Sequence, residues 1–244
     1  ADLEYDLIAY TYGNTRKNTS ADRERQYVSL LSSSITDGVI IVTPRATDFL
    51  TTAPVVAVDP NNETPSCPAV IATNRAGAIS AMEYLLAMGH RRIGHITGRT
   101  DLQSAIRRLQ GYEDALTQAG IPIDPQLVQQ GDFSTESAMA CARELLTLED
   151  RPTAIFAAND QSAIGVIRMA RELGLDVPQD ISLIGFDNIS EAEHLNLTTV
   201  DQFINEMGFV ATNMLIRLIH HEGLESQIHK MPTELVVRGS CRAL

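Results

Sequence analysis

Polar side chains follow several apolar runs of the sequence, where together they could bind a small molecule. The run "VAVD" ends in Asp59, "AIFAAND" continues into Asn159, and "LIGFD" ends in Asp187. Phe133 comes just past another predicted strand in "VQQGDF", and Arg108 lies within the helical stripe of "AIRRLQGY". A guanidinium and a carboxylate bind adjacent hydroxyls or ring heteroatoms, while an aromatic ring covers an apolar ring face. These residue types therefore predict a polyol or heterocycle site.

Each of these residues also has an ordinary structural role that the sequence leaves open. Asn159 can be a turn residue, Asp187 can cap the short turn around "NIS", and Arg108 can be an ion-paired helix arginine. Phe133 can fill the core. Asp160 is most simply the N-cap of the helix that follows it, so it is not counted among the binding residues.

The composition argues against several classes of protein. With 31 acidic and 19 basic residues, the 244-residue chain has a net charge of −12 and on its own should not bind nucleic acid. No apolar run approaches the roughly 20 residues that cross a bilayer, and no signal peptide is visible, so we expect a cytoplasmic protein. The three cysteines have no metal-site spacing and are expected to be free thiols.

Enzyme signatures are absent from the sequence. It has no GxSxG nucleophile elbow, no phosphate loop with its Lys-Ser/Thr pair, and no GxGxxG that opens a first helix. His90 and His95 bracket a predicted strand and are interpreted as structural. We therefore expect neither catalysis, nor a cofactor, nor a metal site.

The elements that position the polar residues follow an α/β pattern. Apolar runs without polar alternation predict parallel strands covered on both faces. These runs are "YDLIAY", "DGVIIV", "PVVAVD", "RRIGHIT", "PTAIFAA" and "DISLIGF". Segments of helical periodicity lie between them, so we expect parallel sheets flanked by helices. In such sheets ligands bind beyond the carboxyl ends of the strands, where the polar residues fall.

Five segments closely resemble the lactose-repressor/galactose-repressor (LacI/GalR) family of bacterial transcription regulators, in the same order and over nearly the whole chain. They are "GHRRIGHITG", "RRLQGYEDAL", the stretch from "PTAIFAANDQ" to "LIGFDN", "LTTVDQFINEMG" and "PTELVVRGS". The resemblance implies an effector-binding and dimerising core in which a bound small metabolite controls the binding of DNA. DNA would be bound only by a helix-turn-helix headpiece, to which this chain has no counterpart.

The resemblance also implies a set of effector-binding residues, each at a position of the family's motifs. They are Arg108 in "RLQGY", Asp187 in "GFD", Asn159 in "AND", Phe133 after "GD", Asp59 in "VAVD" and Gln202 in "LTTVDQF". A sugar, a sugar phosphate or a purine would suit these side chains equally.

The implied fold has two Rossmann-like lobes of the periplasmic binding protein type I class, joined by three crossovers. Residues 1–72 and 201–231 would form the N-terminal lobe, and residues 73–200 and 232–244 the C-terminal lobe. This division accounts for the end of the chain, where the strand-like "TELVVRG" has no helix after it. The family's first strand and helix have no counterpart before "YDLIAYTY", so we expect a gap in the first sheet.

The leading prediction is a cytoplasmic, homodimeric regulator core that has no membrane partner. Two other classes of protein are alternatives to it. A periplasmic sugar-binding protein of a transporter shares the fold and the cleft, but would be monomeric and would carry a signal peptide. An α/β enzyme such as a nucleoside hydrolase or a kinase would need a carboxylate cluster or a phosphate loop. Dimerisation is expected through faces that include "ADRERQYVSLLSSS" and "GFVATNMLIRLI".

Overall fold

The computed structural model describes residues 5–11, 21–62 and 64–244. The helices are α1 (Ala21–Ser34), α2 (Asn74–Ala87), α3 (Gln103–Gln118), α4 (Thr135–Leu146), α5 (Asp160–Glu172), α6 (Ser190–His194) and α7 (Ile204–Ile219). The strands are β1 (Val39–Val42), β2 (Val55–Val58), β3 (Ala69–Ala72), β4 (Ile93–Thr97), β5 (Val128–Gln130), β6 (Ala154–Ala157), β7 (Ser182–Asp187), β8 (Thr198–Asp201), β9 (Ile228–Met231) and β10 (Glu234–Val236). Helices and strands alternate from α2 to α7, as predicted, whereas β1, β2 and β3 follow one another with no helix between them.

The strands form two separate sheets. The first has the order β1-β2-β3-β9 and is parallel throughout. The second has the order β10-β8-β7-β6-β4-β5 and is parallel except for β10, which runs antiparallel to β8. The chain passes from one sheet to the other after β3, after β8 and after β9. The prediction of an α/β fold with parallel sheets flanked by helices is confirmed.

Helices cover the sheets because the central strands, such as β6 and β7, are apolar and buried along nearly their whole length. On the second sheet, α2 and α3 bury Met82 and Tyr112 against Phe156 and Phe186 of β6 and β7. Helices α4 and α5 form a second core on the opposite side. On the first sheet, α7 packs on β1, β2 and β3. Parallel strands buried in this way need no polar face, which explains their unbroken apolar runs.

The prediction of a buried strand in "YDLIAY" is wrong. Residues 5–11 are exposed and form no strand, and Leu7 keeps 91% of its side-chain exposure. A strand is stabilised by the neighbour with which it forms a hydrogen-bonded ladder. Among the described residues, β1 at the edge of the first sheet pairs only with β2, so the apolar run has no ladder to join.

Hydrogen bonds join two of the three passages between the sheets. The Thr73 hydroxyl lies 3.1 Å from the Thr233 hydroxyl and accepts the Thr233 backbone N–H at 3.0 Å. In the remaining passage, Asp201 accepts the backbone N–H of Phe203, whose left-handed backbone (φ 56) starts α7. These bonds fix the direction in which the chain leaves each sheet, and hence the place of the side chains beside the passages.

Close helix packing allows a first prediction on stability. In Gly111→Ala, the added Cβ would lie 2.5 Å from the carbonyl oxygen of Arg75 and 2.6 Å from Cβ of Ala78. We expect the free energy of unfolding to fall by about 1–3 kcal/mol, as in other overpacked contacts. Gly223→Ala in the loop after α7 is the control: apart from its chain neighbours, no heavy atom of the described residues lies within 4 Å of its added Cβ, so we expect no loss and a gain of up to about 1 kcal/mol. Equal losses for the two variants in urea denaturation would contradict this explanation.

Candidate functional site

The candidate site is centred on the guanidinium of Arg108, which α3 places at the carboxyl ends of β6 and β7. Nε donates to Oδ1 of Asn74 at 2.9 Å, and Nη1 donates to the carbonyl oxygen of Ala158 at 2.5 Å. Nη1 also lies 3.3 Å from Oδ1 of Asp187. The guanidinium carbon sits 3.7 Å from the ring centroid of Phe186, a stacked position. Arg108 is therefore buried and held on three sides, with no freedom to act as a solvated helix arginine.

Asp187 and Gln202 meet at this cluster. Nε2 of Gln202 donates to Oδ1 of Asp187 at 2.6 Å. Asp187 is the last residue of β7 and has a positive φ of 111. Burial raises the pKa of Asp187 to about 6, although the charge and the hydrogen bond of Arg108 partly oppose the shift. The carboxylate keeps 19% of its exposure, so it remains reachable from the cleft.

Asp59 approaches the same cluster from the end of β2 in the first sheet. Nδ2 of Asn74 lies 3.4 Å from Oδ1 of Asp59, while Oδ1 of Asn74 accepts from Arg108. Burial raises the pKa of Asp59, and the positive charge of Arg108 offsets part of that shift. Asn74 thus links a carboxylate of one sheet to the guanidinium attached to the other.

Asn159 caps α5, and the prediction that Asp160 is the cap is wrong by one residue. Oδ1 of Asn159 accepts the backbone N–H of Ser162 at 2.9 Å, and Nδ2 donates to the carbonyl oxygen of Phe133 at 3.2 Å. The extended backbone of Asn159 makes it the last residue before the helix, so Asp160 falls inside the first turn. Asn159 therefore fixes the loop of Phe133 as well as the helix start.

Phe133 lies over Gly98, at the end of β4. A Cβ on Gly98 would collide with the Phe133 ring, so only glycine leaves room for this arrangement. The ring centroid is 5.9 Å from the guanidinium carbon of Arg108, which places the aromatic face beside the polar cluster. Phe133 has a positive φ of 74 and is half-buried, so the ring is not simply a core filler.

The structure thus brings the six predicted residues into one region, linked by contacts through Asn74, Ala158 and Phe133. Sequence reasoning missed Asn74 and Gly98. Asn74 had a usable signal, because it follows the apolar run "AVIAT" just as the predicted residues follow their strands. Gly98 had none, because its importance depends on a ring from another loop.

A second group of contacts links loops of the two sheets, apart from the cluster around Arg108. Nη2 of Arg45 lies 2.6 Å from Oδ2 of Asp101. Asn61 donates to the carbonyl oxygen of Asp101 at 2.6 Å and accepts the backbone N–H of Gln103 at 2.6 Å. These bonds join the loops after β1 and β2 in the first sheet to the loop before α3. They hold the two sheets together at a place distinct from the chain passages.

A cavity of about 380 Å³ opens beside Asp187, between the loops after β7 and β8 and the first turn of α7. Of the described residues that line it, Asp187, Asp201 and Glu206 are charged and the others are uncharged. Asp201 is held in place by Nδ2 of Asn188 at 2.8 Å. The cavity therefore continues the candidate site with an acidic wall.

Other kinds of site do not arise among residues 5–11, 21–62 and 64–244. No group of His, Cys, Asp or Glu there is arranged to hold a metal ion. No helix in those ranges has both the length and the apolar character that a bilayer crossing needs. The three cysteines are free thiols. His90 and His95 are fully buried, and His95 stacks between Tyr112 and Phe156.

Replacement of Gly98 tests the place of the aromatic ring. Gly98→Ala would force the Phe133 ring away from the polar cluster, so we expect ligand binding to weaken by about tenfold, or about 1.4 kcal/mol. Gly223→Ala, where no heavy atom lies within 4 Å of the added Cβ, is the control and should bind as the unmodified chain does. Isothermal titration of both variants checks this. Unchanged affinity in Gly98→Ala would show that the ring has no part in binding.

Comparisons with known proteins agree on one family. The sequence model described as "Periplasmic binding protein-like domain" matches residues 82–241. The chain is 31% identical to the HTH-type transcriptional repressor PurR of Vibrio atlanticus (strain LGP32), over 91% of this chain and 70% of the relative. It is 34% identical to the HTH-type transcriptional repressor CytR of Escherichia coli (strain K12), over 91% and 67% respectively. A solved transcriptional regulator CelR–cellobiose complex superposes with a TM-score of 0.81 and 32% identity, over 90% of this chain and 69% of that one.

Proposed function

The chain belongs to the LacI/GalR family of transcription regulators, as their periplasmic-binding-protein-like ligand-sensing core, and we propose that its effector binds at the cluster around Arg108 and Asp187. One observation carries the proposal. A buried guanidinium at the strand ends of one sheet is linked through Asn74 to Asp59 of the other sheet. A ligand bound there would contact both sheets at once.

We propose that the effector-binding residues are Arg108, Asp187, Asn159, Phe133, Asp59 and Gln202, and that the effector is a sugar. The aromatic ring beside hydrogen-bonding charged groups supports a sugar, because a pyranose or furanose offers both an apolar face and hydroxyls. The neighbouring regulator with cellobiose bound supports the same class of ligand. Sugar phosphates and purines are the alternatives.

The proposed regulation is a change in the angle between two lobes. The N-terminal lobe would comprise residues 1–72 and 201–231, and the C-terminal lobe residues 73–200 and 232–244. Two separate sheets and three chain passages support this division. The Arg45–Asp101 ion pair, together with the bonds of Asn61, would favour a closed arrangement. A ligand shifts such an equilibrium only by its difference in affinity for the two arrangements.

The whole regulator is proposed to be a cytoplasmic homodimer that acts on DNA through a headpiece, with no membrane partner and no catalytic activity. The relatives are transcriptional repressors, which supports regulation over transport and over catalysis. We expect sedimentation at micromolar concentration to show a dimer. A monomer would remove dimerisation from this proposal without affecting the binding site.

A thermal-shift screen tests the binding proposal. A ligand that binds only the folded protein stabilises it by RT ln(1 + [L]/Kd), which is about 2.7 kcal/mol at a concentration of 100 Kd. We expect at least one sugar to raise the midpoint of unfolding in a saturable way and to give a finite Kd in titration calorimetry. If only nucleobases stabilise the protein, the effector is a purine and not a sugar. A lack of any shift across sugars, phosphosugars and nucleobases would refute the site.

A further inference from the structure

The candidate site has more hydrogen-bond acceptors than donors. The carboxylates of Asp59 and Asp187 share the single guanidinium of Arg108. Nε and Nη1 of Arg108 are already bonded to protein oxygens, and among the described residues Nη2 has no partner. Oδ2 of Asp187 and Oδ2 of Asp59 likewise accept no hydrogen bond from the described part of the chain. A bound ligand must therefore supply donors.

The negative charge of the site extends into the adjoining cavity. Asp201 and Glu206 line the cavity together with Asp187, and no basic side chain from the described part of the chain lines it. Asp201 forms no ion pair with the described residues: its two oxygens accept from the Asn188 amide and from the Phe203 backbone N–H, and Arg238 reaches only the oxygen of that amide, at 2.8 Å. Any group that protrudes from the cluster towards α7 would thus meet carboxylates.

We infer that the cleft takes an uncharged ring with two adjacent free hydroxyls and rejects the phosphorylated form of the same sugar. This inference rests on the proposed function and narrows its ligand class. It separates two of the ligand classes that the sequence could not distinguish, because only the folded structure shows which donors of Arg108 are already engaged.

A pair of adjacent hydroxyls matches the free groups of the site. One hydroxyl accepts from Nη2 of Arg108, and both hydroxyls donate to the free carboxylate oxygens of Asp187 and Asp59. Each carboxylate then gains a charge-assisted hydrogen bond, which is about twice as strong as a neutral one. The ring face of the sugar packs on Phe133, which lies beside the same guanidinium.

A phosphate group on the ligand adds acceptors and negative charge where the site needs donors. It brings between about −1.5 and −2 charges and acceptor oxygens at neutral pH. These oxygens compete for the one free N–H₂ group of Arg108 and offer no donor to Asp59 or Asp187. Burial already raises the pKa of both carboxyl groups, which shows that the site stabilises negative charge poorly. An additional anion in this region is repelled more strongly than it would be in water.

Titration calorimetry with matched pairs of ligands tests the inference. The probes are ribose and ribose 5-phosphate, glucose and glucose 6-phosphate, and cellobiose as an unphosphorylated disaccharide. For each sugar that binds, we expect its phosphorylated form to bind about 100-fold more weakly, which corresponds to about 2.7 kcal/mol. Discrimination of at least tenfold supports the inference.

A charge reversal on the cavity wall provides the matched variants. Glu206→Lys places a cation in the cavity, whereas Glu225→Lys makes the same change in net charge at an exposed position outside it. We expect Glu206→Lys to reduce the discrimination against the phosphorylated form roughly fivefold and Glu225→Lys to leave it unchanged, since local charge acts within about a Debye length. Equal effects of the two variants would attribute the discrimination to net charge and overturn the role of the cavity.

The outcomes separate this inference from the function on which it rests. A phosphosugar that binds within tenfold of its parent sugar, or more tightly, overturns the inference and leaves the sugar-sensing function intact. Binding of methyl 2-deoxyribofuranoside, which has no adjacent pair of free hydroxyls, with the affinity of methyl ribofuranoside also overturns it, because the pair would then be unnecessary. The absence of binding by every sugar and phosphosugar probe refutes the proposed function itself.

Discussion

Arg108→Ala is expected to weaken effector binding by about 100-fold, or roughly 3 kcal/mol, because a charge-assisted hydrogen bond to the ligand is lost. The loss also leaves the buried carboxylate of Asp187 without its cation, so part of the effect is repulsion within the empty site. Stacking of the guanidinium on Phe186 is lost as well. Titration calorimetry at constant pH gives the change in Kd directly.

Two further variants keep this prediction falsifiable. Arg107→Ala, one residue earlier in α3 and bonded to Gln110 at 3.3 Å, is the control and should bind normally. Arg108→Lys retains the charge but lacks the planar fork that reaches Asn74 and Ala158 together. We expect Arg108→Lys to fold but to bind the effector at least about tenfold more weakly than the unmodified chain does. A folded Arg108→Lys or Arg108→Ala with the affinity of the unmodified chain would reject Arg108 as the centre of the site.

Local sequence patterns were enough to predict most of the architecture. Strands buried on both faces have continuous apolar runs, and the helices between them have stripes that end at glycines such as Gly89 and Gly120, both with positive φ. The pattern failed for "YDLIAY", which is as apolar as the true strands. A strand also needs a partner, and whether a partner is present is a property of the whole sheet.

Sequence patterns also predicted only some of the residues of the candidate site. Strand-end position pointed to Asp187 and Asp59 because ligands bind beyond the carboxyl ends of parallel strands. It could not show that Asn74 would link Asp59 to Arg108, or that Gly98 would make room for Phe133. The cap of α5 was misplaced by one residue because Asn159 and Asp160 have similar cap preferences, and only the backbone angles decide between them.

Asp160 is the most deeply buried carboxyl group near the site, and its surroundings differ from those of a helix cap. Oδ1 accepts the Thr199 hydroxyl at 2.6 Å, and Oδ2 accepts the backbone N–H of Ile189 at 3.0 Å. It thereby joins α5 to β8 and to the loop that follows Asp187. Burial raises the pKa of Asp160 to about 7 from an ordinary value of 3.8, and the negative charge of Asp187 contributes to the shift.

A raised carboxyl pKa makes the folded state bind a proton that the unfolded state has lost. Between pH 3.8 and about 7 the folded protein holds more protons at Asp160, so this residue's contribution to stability falls as pH rises and is constant above that range. Burial lowers the pKa of His95 to about 4, and this shift works in the opposite direction between pH 4 and 6.5. The effect of Asp160 must therefore be measured as a difference from a variant that lacks its titration.

Asp160→Asn is expected to gain stability relative to the unmodified chain by about 4 kcal/mol between pH 4 and pH 8, because the window spans roughly three units of pKa shift and each is worth about 1.4 kcal/mol. The amide can accept the Ile189 N–H and donate to the Thr199 hydroxyl, so it imitates the neutral acid, and the two proteins should have similar stabilities at pH 4. Asp37→Asn, at an exposed position, is the control. Urea denaturation across this range provides the measurement. The difference in the free energy of unfolding between Asp160→Asn and the unmodified chain is the decisive quantity. If it stays constant from pH 4 to pH 8, Asp160 is ionised in the folded protein throughout, and burial does not control its charge.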